Sequence, residues 1–593
     1  MSPGDEYARR LGVWESRVSR LEVREARLGS IRLLLAAVAA VVAWESLHGH
    51  WLSPLWLSAP VAAFIGVVIY HGSLRRGLSQ AERAAAFYRS GLARIQDRWA
   101  GGGRQGERFG DPQHVYAADL DLFGKGGLFE LLCGARTRMG EEALASWLLA
   151  PASLEEITER HACVSDLTSR LDLREDLAVL GEGEDVGVHP QSLLTWAESP
   201  NVLGEPWIRW SARLLPVLCV ASAIVWAVAG IPAPFVAVIL IEIAVLYRLG
   251  GRLGQVLDPA ESAFDDLKVF AKLLVRVERE PFAAPAMQAL VRALASQDRR
   301  AGRSIERLGT IAELAGSRQN LVVRWFLAVP LLYSVQVALA AERWRRAHGA
   351  KARAWVEVAG RFEALSSIAQ YSFEHPADPF PDFVERPPRL RASGLGHPLI
   401  PSERCVRNDV DISGGTRALL VSGSNMSGKS TLLRAVGINT VLAMAGAPVR
   451  ARSLELTPLT VGASIRISDS LSEGTSRFYA EIARLRQLQD LASAEPPLLF
   501  LLDEALQGTN SKDRRIGAEA VLRAFLGQGA IGLISTHDLA LTEIRGIEEG
   551  SVRNVHFEDE IEDGRMKFDF KLRDGVVAQS NGLELMRSIG LKV

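Results

Sequence analysis

Cysteine is scarce in this sequence, with only 4 in 593 residues, at Cys133, Cys163, Cys219 and Cys405. None falls at a paired spacing, so neither a disulfide framework nor a zinc site is indicated. Net charge is nearly absent as well. Lys and Arg number 68 against 69 Asp and Glu, a formal charge of -1, which removes any global electrostatic case for nucleic acid. Local basic clusters exist, such as Arg343-Trp344-Arg345-Arg346 through Lys351 and Arg353; they read as a solvated helix face, with DNA contact the less favoured alternative. Long low-complexity tracts and internal repeats are missing, apart from one possible duplication described below, and Gly101-Gly102-Gly103 reads as a flexible link. A cleavable signal peptide is not expected, because a charged, helix-like stretch precedes the first apolar segment and a second apolar segment follows it.

The strongest positive signal is Gly423-Ser424-Asn425-Met426-Ser427-Gly428-Lys429-Ser430-Thr431, which fits the phosphate-binding pattern G-x-x-x-x-G-K-[ST]. An apolar run, Ala418 to Val421, precedes it as a buried strand, and Leu432 to Val436 follows as a helix start. Glycines let such a loop fold back so that backbone N–H groups and the helix N-terminus face phosphates. Lys429 would reach the β- and γ-phosphates and Ser430 would ligate Mg²⁺. A second apolar run, Leu498 to Leu502, ends in Asp503-Glu504. A strand buried on both faces has this composition, and its carboxyl end is where parallel sheets bind ligands. Asp503 is placed to hold Mg²⁺ through water and Glu504 to polarise an attacking water. A third strand, Ala530 to Ser535, delivers Thr536-His537-Asp538 to the same edge, with His537 as a γ-phosphate sensor.

These residues resemble the MutS mismatch-repair ATPases of the ABC-type superfamily. The likeness rests on Asn425-Met426 before Gly428-Lys429-Ser430-Thr431, on Asp503-Glu504 followed by Gly508-Thr509-Asn510-Ser511, and on Ser535-Thr536-His537-Asp538. Gly396-His397-Pro398-Leu399 and Ser580-Asn581-Gly582-Leu583-Glu584-Leu585 resemble the opening and closing segments of the ATPase domain. Ser472 to Glu481 sits where the family has the signature segment that contacts the partner subunit's nucleotide, which gives Gly474, Ser476 and Arg477 a role in trans. Upstream, Asp121 to Leu132, Thr137 to Gly140 and Trp147 to Pro151 resemble the start of the MutS helical core, and Phe362 to Ala369 its lever. The resemblance implies ATP and Mg²⁺ as cofactors, a homodimer, and DNA as ligand.

The departures from the family pattern are specific. The core-like segment starts by about residue 119, which leaves no room for a mismatch-reading domain and its connector, and the chain stops soon after the closing segment, before any appended dimerisation module. A Phe-x-Glu match, Phe383-Val384-Glu385, lies in a Pro-rich linker. Arg477 replaces a small hydroxyl residue beside the signature serine. Cys405 or Val406 stands where an aromatic often stacks on adenine.

Two pairs of apolar segments complete the sequence: Leu33 to Leu47 with Leu55 to Tyr70, and Leu214 to Ala229 with Pro232 to Tyr247. They could be buried core helices, but they are apolar all round, and arginines flank the pairs while the turns carry no Lys or Arg. Arg24, Arg27 and Arg32 precede the first pair and Arg75, Arg76 and Arg83 follow it; Arg209 and Arg213 precede the second and Arg248 and Arg252 follow it. By the positive-inside rule both become transmembrane hairpins with their ends in the cytoplasm. Glu242 inside the last segment is costly in lipid unless it faces another helix.

The expected organisation is an α/β P-loop ATPase domain of ABC type, MutS-like, preceded by an all-α core and lever region with two transmembrane hairpins. Its parts are a cytoplasmic amphipathic helix at 1–30, hairpin one at 31–70, a core-like region at 71–208, hairpin two at 209–250, core and lever at 251–385, and the ATPase at 386–593. Trp325 to Ala341 is read as core. The expected activity is ATP hydrolysis coupled to a shape change of a DNA-binding dimer, nominally related to DNA mismatch repair and held in the cytoplasmic membrane as a multi-pass protein with its ATPase domain in the cytoplasm. The alternative is a membrane-bound mechanochemical or scaffolding ATPase that binds no DNA; a transporter fits less well, since four spans give no evident substrate pathway.

Overall fold

The computed structural model describes residues 2–49, 53–180, 190–262, 264–294, 300–319, 329–424, 426–466, 477–506, 509–537, 550–562 and 565–576. Chain contacts divide it into two units: Met1–Leu92 with Ala135–Gly140 and Arg170–Glu363, and Ala93–Gly134 with Glu141–Ser169 and Ala364–Val593.

The first unit is helical. Helix α1 (Pro3–Trp44) begins with a capping box, in which the Ser2 hydroxyl accepts from the Asp5 N–H and the Asp5 carboxylate accepts from the Ser2 N–H, with Pro3 in the first turn. It runs unbroken through residue 30, and α2 (Ser58–Ile95) runs unbroken through residue 70. The expected boundaries at those residues therefore fall inside helices. The i to i−4 hydrogen bonds that propagate a helix are indifferent to whether its side chains face protein, water or lipid. The two helices are tied antiparallel by Tyr7 against Tyr88, with ring centroids 5.5 Å apart, and by the ion pairs Arg89–Glu15 and Arg75–Glu25, each 2.9 Å.

Further along the unit, α6 (Leu171–Ala178) and α7 (Pro190–Glu198) precede a hairpin of α8 (Pro206–Ala229) and α9 (Ala233–Ser262). Left-handed Gly230, φ 72°, ends α8. Amphipathic helices α10 (Phe264–Arg279), α11 (Pro285–Leu294) and α12 (Ala301–Gly316) lead to α13 (Tyr333–Glu374). The basic cluster on α13 is only partly a solvated face. Trp344 is buried and donates its indole N–H to the Ser304 carbonyl at 2.7 Å, while Arg345 is 5% exposed and bonds Glu342, Ser199 and the Pro200 carbonyl. Arg353 is ion-paired to Glu198. Those arginines are committed to protein partners and are not free for phosphate. Of the stretch read as core, residues 325–328 lie outside the described residues and Tyr333–Ala341 opens α13.

Among the described residues four helices, within Pro3–Trp44, Leu55–Ile95, Pro206–Ala229 and Ala233–Glu261, are long and apolar enough to cross a membrane. Large apolar side chains such as Leu33, Leu55, Val228 and Ile241 are exposed along them.

The second unit opens with the segment after Ala93 and includes α3 (Leu128–Leu132), most of α4 (Arg138–Leu149) and α5 (Leu154–Thr168). Gly101-Gly102-Gly103 is not a flexible link here. The N–H groups of Gly101 and Gly103 donate to Glu130 Oε1 at 2.7 and 2.9 Å, and that of Gly126 donates to Oε2 at 2.7 Å. Glycine allows backbone to close around a carboxylate that is 4% exposed, so the burial of Glu130 is satisfied by peptide groups.

Two sheets follow. The smaller, in the order β1-β5-β2-β3, consists of β1 (Asp382–Phe383), β2 (Leu390–Leu395), β3 (Asn408–Ile412) and β5 (Ser453–Leu456). Phe383, half of the Phe-x-Glu match, pairs within it against β5 and so is not in a free linker. The larger runs β10-β9-β4-β8-β7-β6, from β4 (Ala418–Ser422), β6 (Thr460–Ser464), β7 (Leu498–Leu502), β8 (Ile531–Thr536), β9 (Val552–Glu562) and β10 (Arg565–Asp574). All pairings are parallel except β9 with β10. Strands β4, β7 and β8 are buried at every residue, which explains their continuous apolar sequence. Helices α14 (Lys429–Ala445), α15 (Arg477–Ala492) and α16 (Ser511–Gly527) cover the sheet. Ser422 is in register with Thr536, and Leu502 with Ile534, so the loops after β4, β7 and β8 emerge side by side.

Candidate functional site

The loop after β4 depends on two glycines. Gly423 has φ 150°, and a Cβ there would lie 2.8 Å from Ser427 Oγ and 3.2 Å from the Phe557 carbonyl. Gly428 has φ 109° and caps α14, so the helix begins at Lys429 with its first N–H groups turned to the loop. Met426 is left-handed at the tip, 85% exposed; Asn425 lies outside the described residues. Ser424 Oγ and Ser427 Oγ are buried with no hydrogen-bond partner. Two orphaned hydroxyls in a loop of this geometry fit an anion's oxygens.

Lys429 is 4% exposed, and its Nζ donates to the carbonyls of Gly423 and Ser424, both at 2.8 Å. Burial pulls its pKa below the ordinary lysine value, opposed by Glu504 and Asp503. Glu504 Oε1 is 3.6 Å from Nζ. The strand β7 ends at Leu502; the Asp503 N–H then continues the ladder to the Ser464 carbonyl at 2.9 Å, and the Asp503 carboxylate accepts from the Ser535 hydroxyl. The Glu504 N–H donates to the same Ser535 oxygen at 3.0 Å. Glu504 and Leu506 are both left-handed, at φ 49° and 63°. The buried Glu481 carboxylate on α15 accepts from the Leu506 N–H and holds this turn. From β8, His537 Nδ1 reaches within 3.6 Å of Glu504 Oε2. Lys429 and His537 thus both lie beside the Glu504 carboxylate.

Ser430 and Thr431 occupy the first turn of α14. Ser430 and Asp503 offer a hydroxyl and a carboxylate, hard oxygen donors suited to Mg²⁺. Gly474 and Ser476 lie outside the described residues, as do Gly508, Asp538 and the closing segment, while Arg477 opens α15.

Beside the loop is a cavity of about 190 Å³, lined by His397, Cys405, Val406, Asn408, Thr431, Phe557 and Phe570 among others. Cys405 and Val406 line it in place of an aromatic, and the rings on its wall come from two later strands. Phe557 lies on β9 and Phe570 on β10, where the ladder register shifts between Phe568 and Leu572 and Phe570 turns left-handed, φ 55°. Asn408 fixes the bulge, with Nδ2 donating to the Phe570 carbonyl at 2.9 Å and Oδ1 accepting from the Leu572 N–H at 2.9 Å. His397 is buried, which holds its pKa down at about 4, so a neutral imidazole faces the cavity at physiological pH. An aromatic-lined cavity next to a loop of this kind can receive a planar group such as a nucleoside base.

Residues 419–592 match the family model described as MutS domain V. This segment, and not the rest of the chain, is similar to the MutS family. Over 214 residues it is 33% identical to the Endonuclease MutS2 of Thermus thermophilus, a match covering 36% of this chain and 27% of that protein. It is 34% identical over 233 residues to the DNA mismatch repair protein MSH3 of Phaeosphaeria nodorum, covering 38% and 20% respectively. To the DNA mismatch repair protein MSH6 of Arabidopsis thaliana the identity is 33% over 218 residues, covering 34% and 16%. The chain therefore spans no more than 27% of the length of these MutS relatives.

Proposed function

We propose that this chain is a MutS-like ATP hydrolase anchored in a membrane by two helical hairpins, with hydrolysis coupled to the conformation of a dimer that engages DNA. The observation that carries the reading is the convergence of Lys429, Glu504 and His537 beside the phosphate-type loop and the aromatic cavity. In phosphoryl transfer to water the protein's contribution is chiefly positioning and charge neutralisation. Lys429 neutralises charge on the β- and γ-phosphates, Glu504 orients the attacking water, and His537 senses the γ-phosphate. Gly423, Ser424, Asn425, Met426, Ser427, Gly428 and Thr431 wrap the phosphates. Ser430 and Asp503 would hold Mg²⁺, which supplies further neutralisation of the phosphate oxygens. Phe570 and Phe557 receive the base. Gly474, Ser476 and Arg477 complete the site of the partner subunit.

The membrane reading is supported by four apolar helices whose exposed faces carry Leu, Ile, Val and Trp and by the arginines at their flanks. DNA engagement is supported by the names of the relatives, two of which are DNA mismatch repair proteins. No global positive charge assists it.

The test is ATP hydrolysis by the detergent-solubilised chain, with and without duplex, branched and mismatched DNA across a salt series. Hydrolysis lost in Lys429→Ala supports the site. DNA stimulation that fades steeply with salt supports DNA engagement; hydrolysis indifferent to every DNA form favours the scaffolding alternative.

A further inference from the structure

The second hairpin, α8 with α9, carries a charge-capable group that nucleotide chemistry does not use. Within the apolar stretch of α9, Leu240, Ile241 and Ile243 are exposed, whereas Glu242 between them is fully buried. It faces α8, whose buried stripe is Ile208, Ala212, Pro216, Cys219 and Ser222. The hairpin is closed at its tip by Trp226 stacked on Phe235, centroids 5.4 Å apart, and at its base by the Arg252–Glu205 ion pair of 2.8 Å. The register that pairs Trp226 with Phe235 sets Cys219 across from Glu242. Both Glu242 carboxyl oxygens are buried, and the side chain they face is the Cys219 thiol. The Ser222 hydroxyl, the other polar side chain on that face, is turned back to the Cys219 carbonyl at 2.9 Å. Pro216, one turn earlier, lacks an N–H and leaves α8 without one of its own backbone bonds beside this layer.

Among the described residues no cation pairs with this carboxyl: Arg209, Arg213, Arg248 and Arg252 stand outside the apolar stretch, and Cys219 is the titratable group that faces it from α8. An unpaired carboxylate in such surroundings is strongly disfavoured against its protonated form, whereas a neutral carboxyl can sit between two helices and donate one hydrogen bond. We infer that Glu242 is a proton-binding site inside the second hairpin, closed while the proton is held and loosened between α8 and α9 when it leaves. The inference rests on the membrane reading above.

The experiment uses the full chain in lipid vesicles. Flotation first shows whether it is membrane-embedded. Embedded protein is then treated with the apolar reagent dicyclohexylcarbodiimide, which modifies protonated carboxyls, over a pH series, and the α9 peptide is read by mass spectrometry. Label on Glu242 that declines as pH rises, and that is lost in Glu242→Gln, is the expected result. A water-soluble carbodiimide should leave Glu242 unmodified. Chain that floats with the vesicles but shows no Glu242 label at any pH, or equal label from both reagents, overturns the proton site. Chain that fails to float overturns the membrane reading itself. The loosening is read separately from the rate at which N-ethylmaleimide modifies Cys219. Wild type should gain reactivity with pH more steeply than Glu242→Gln, and equal slopes would overturn the link between ionisation and packing.

Discussion

Replacing Glu504 by Gln should separate binding from chemistry in opposite directions. Lys429 donates to two loop carbonyls and stands 3.6 Å from Glu504. At that distance the attraction is ~1 kcal/mol in water-like surroundings and ~5 kcal/mol at an effective dielectric of ~20. ATP must draw the ammonium away from this carboxylate and then accept a like charge beside its γ-phosphate. Glutamine keeps the size of the side chain and removes both obstacles. Taking the lower figure, ATP affinity should rise about fivefold in Glu504→Gln, since ~1.4 kcal/mol is a factor of ten. Hydrolysis should fall by ~10²- to 10⁴-fold, the usual contribution of a positioned general base. Titration with a fluorescent ATP analogue in Mg²⁺ measures the first, and single-turnover hydrolysis the second. Weaker binding by Glu504→Gln would refute the competition for Lys429, and hydrolysis within a few-fold of wild type would refute the role in orienting water.

Other expectations follow from particular contacts. Phe570→Ala should weaken ATP binding by ~5- to 150-fold, the worth of one stacked base at ~1–3 kcal/mol, with little change in the single-turnover rate at saturation; an unchanged Kd would place the base elsewhere. The carboxylate of Glu374, 1% exposed in its side chain, receives two bonds of 2.7 Å from Arg94, so Arg94→Ala should destabilise the second unit by ~3–5 kcal/mol because a buried charge is left uncompensated. The double replacement Arg94→Met with Glu374→Leu should recover most of that loss in denaturant unfolding. His161 and His397 are both held at about 4 by burial against an ordinary 6.5. The folded chain thus binds fewer protons than the unfolded one between those values, and stability should be full above pH 6.5 and decline as pH falls towards 4. Unfolding midpoints of wild type and a His161→Gln, His397→Gln variant should converge near neutrality and separate in acid.

Strands β4 and β7, which lead into the glycine loop and into Asp503-Glu504, were legible because strands buried on both faces are apolar without interruption. Phe557 and Phe570 were not. They reach the cavity because β9 pairs parallel with β4 and a bulge in β10 turns one ring inward, neither of which leaves a local mark on composition. Glu481, which holds the turn after Glu504, was read only as part of a signature segment. Gly101-Gly102-Gly103 has the composition of a linker, and only the distant Glu130 gives it a partner. The apolar hairpins were visible from hydropathy, but the helices that contain them extend well beyond the apolar stretch, since α1 begins at Pro3 and α2 ends at Ile95. Arg345 shows the same limit: a run of arginines looks solvated until Glu342 and Ser199 are seen to enclose one of them.

The most direct measurement of the central claim is ATP hydrolysis across a flotation gradient of vesicles carrying the full chain, run in parallel with Glu504→Gln. Mg²⁺-dependent hydrolysis should rise to the lipid fractions with the wild-type chain and disappear from those fractions in the variant. A chain left at the bottom of the gradient, or floating fractions that hydrolyse ATP equally with Glu504→Gln, would contradict it.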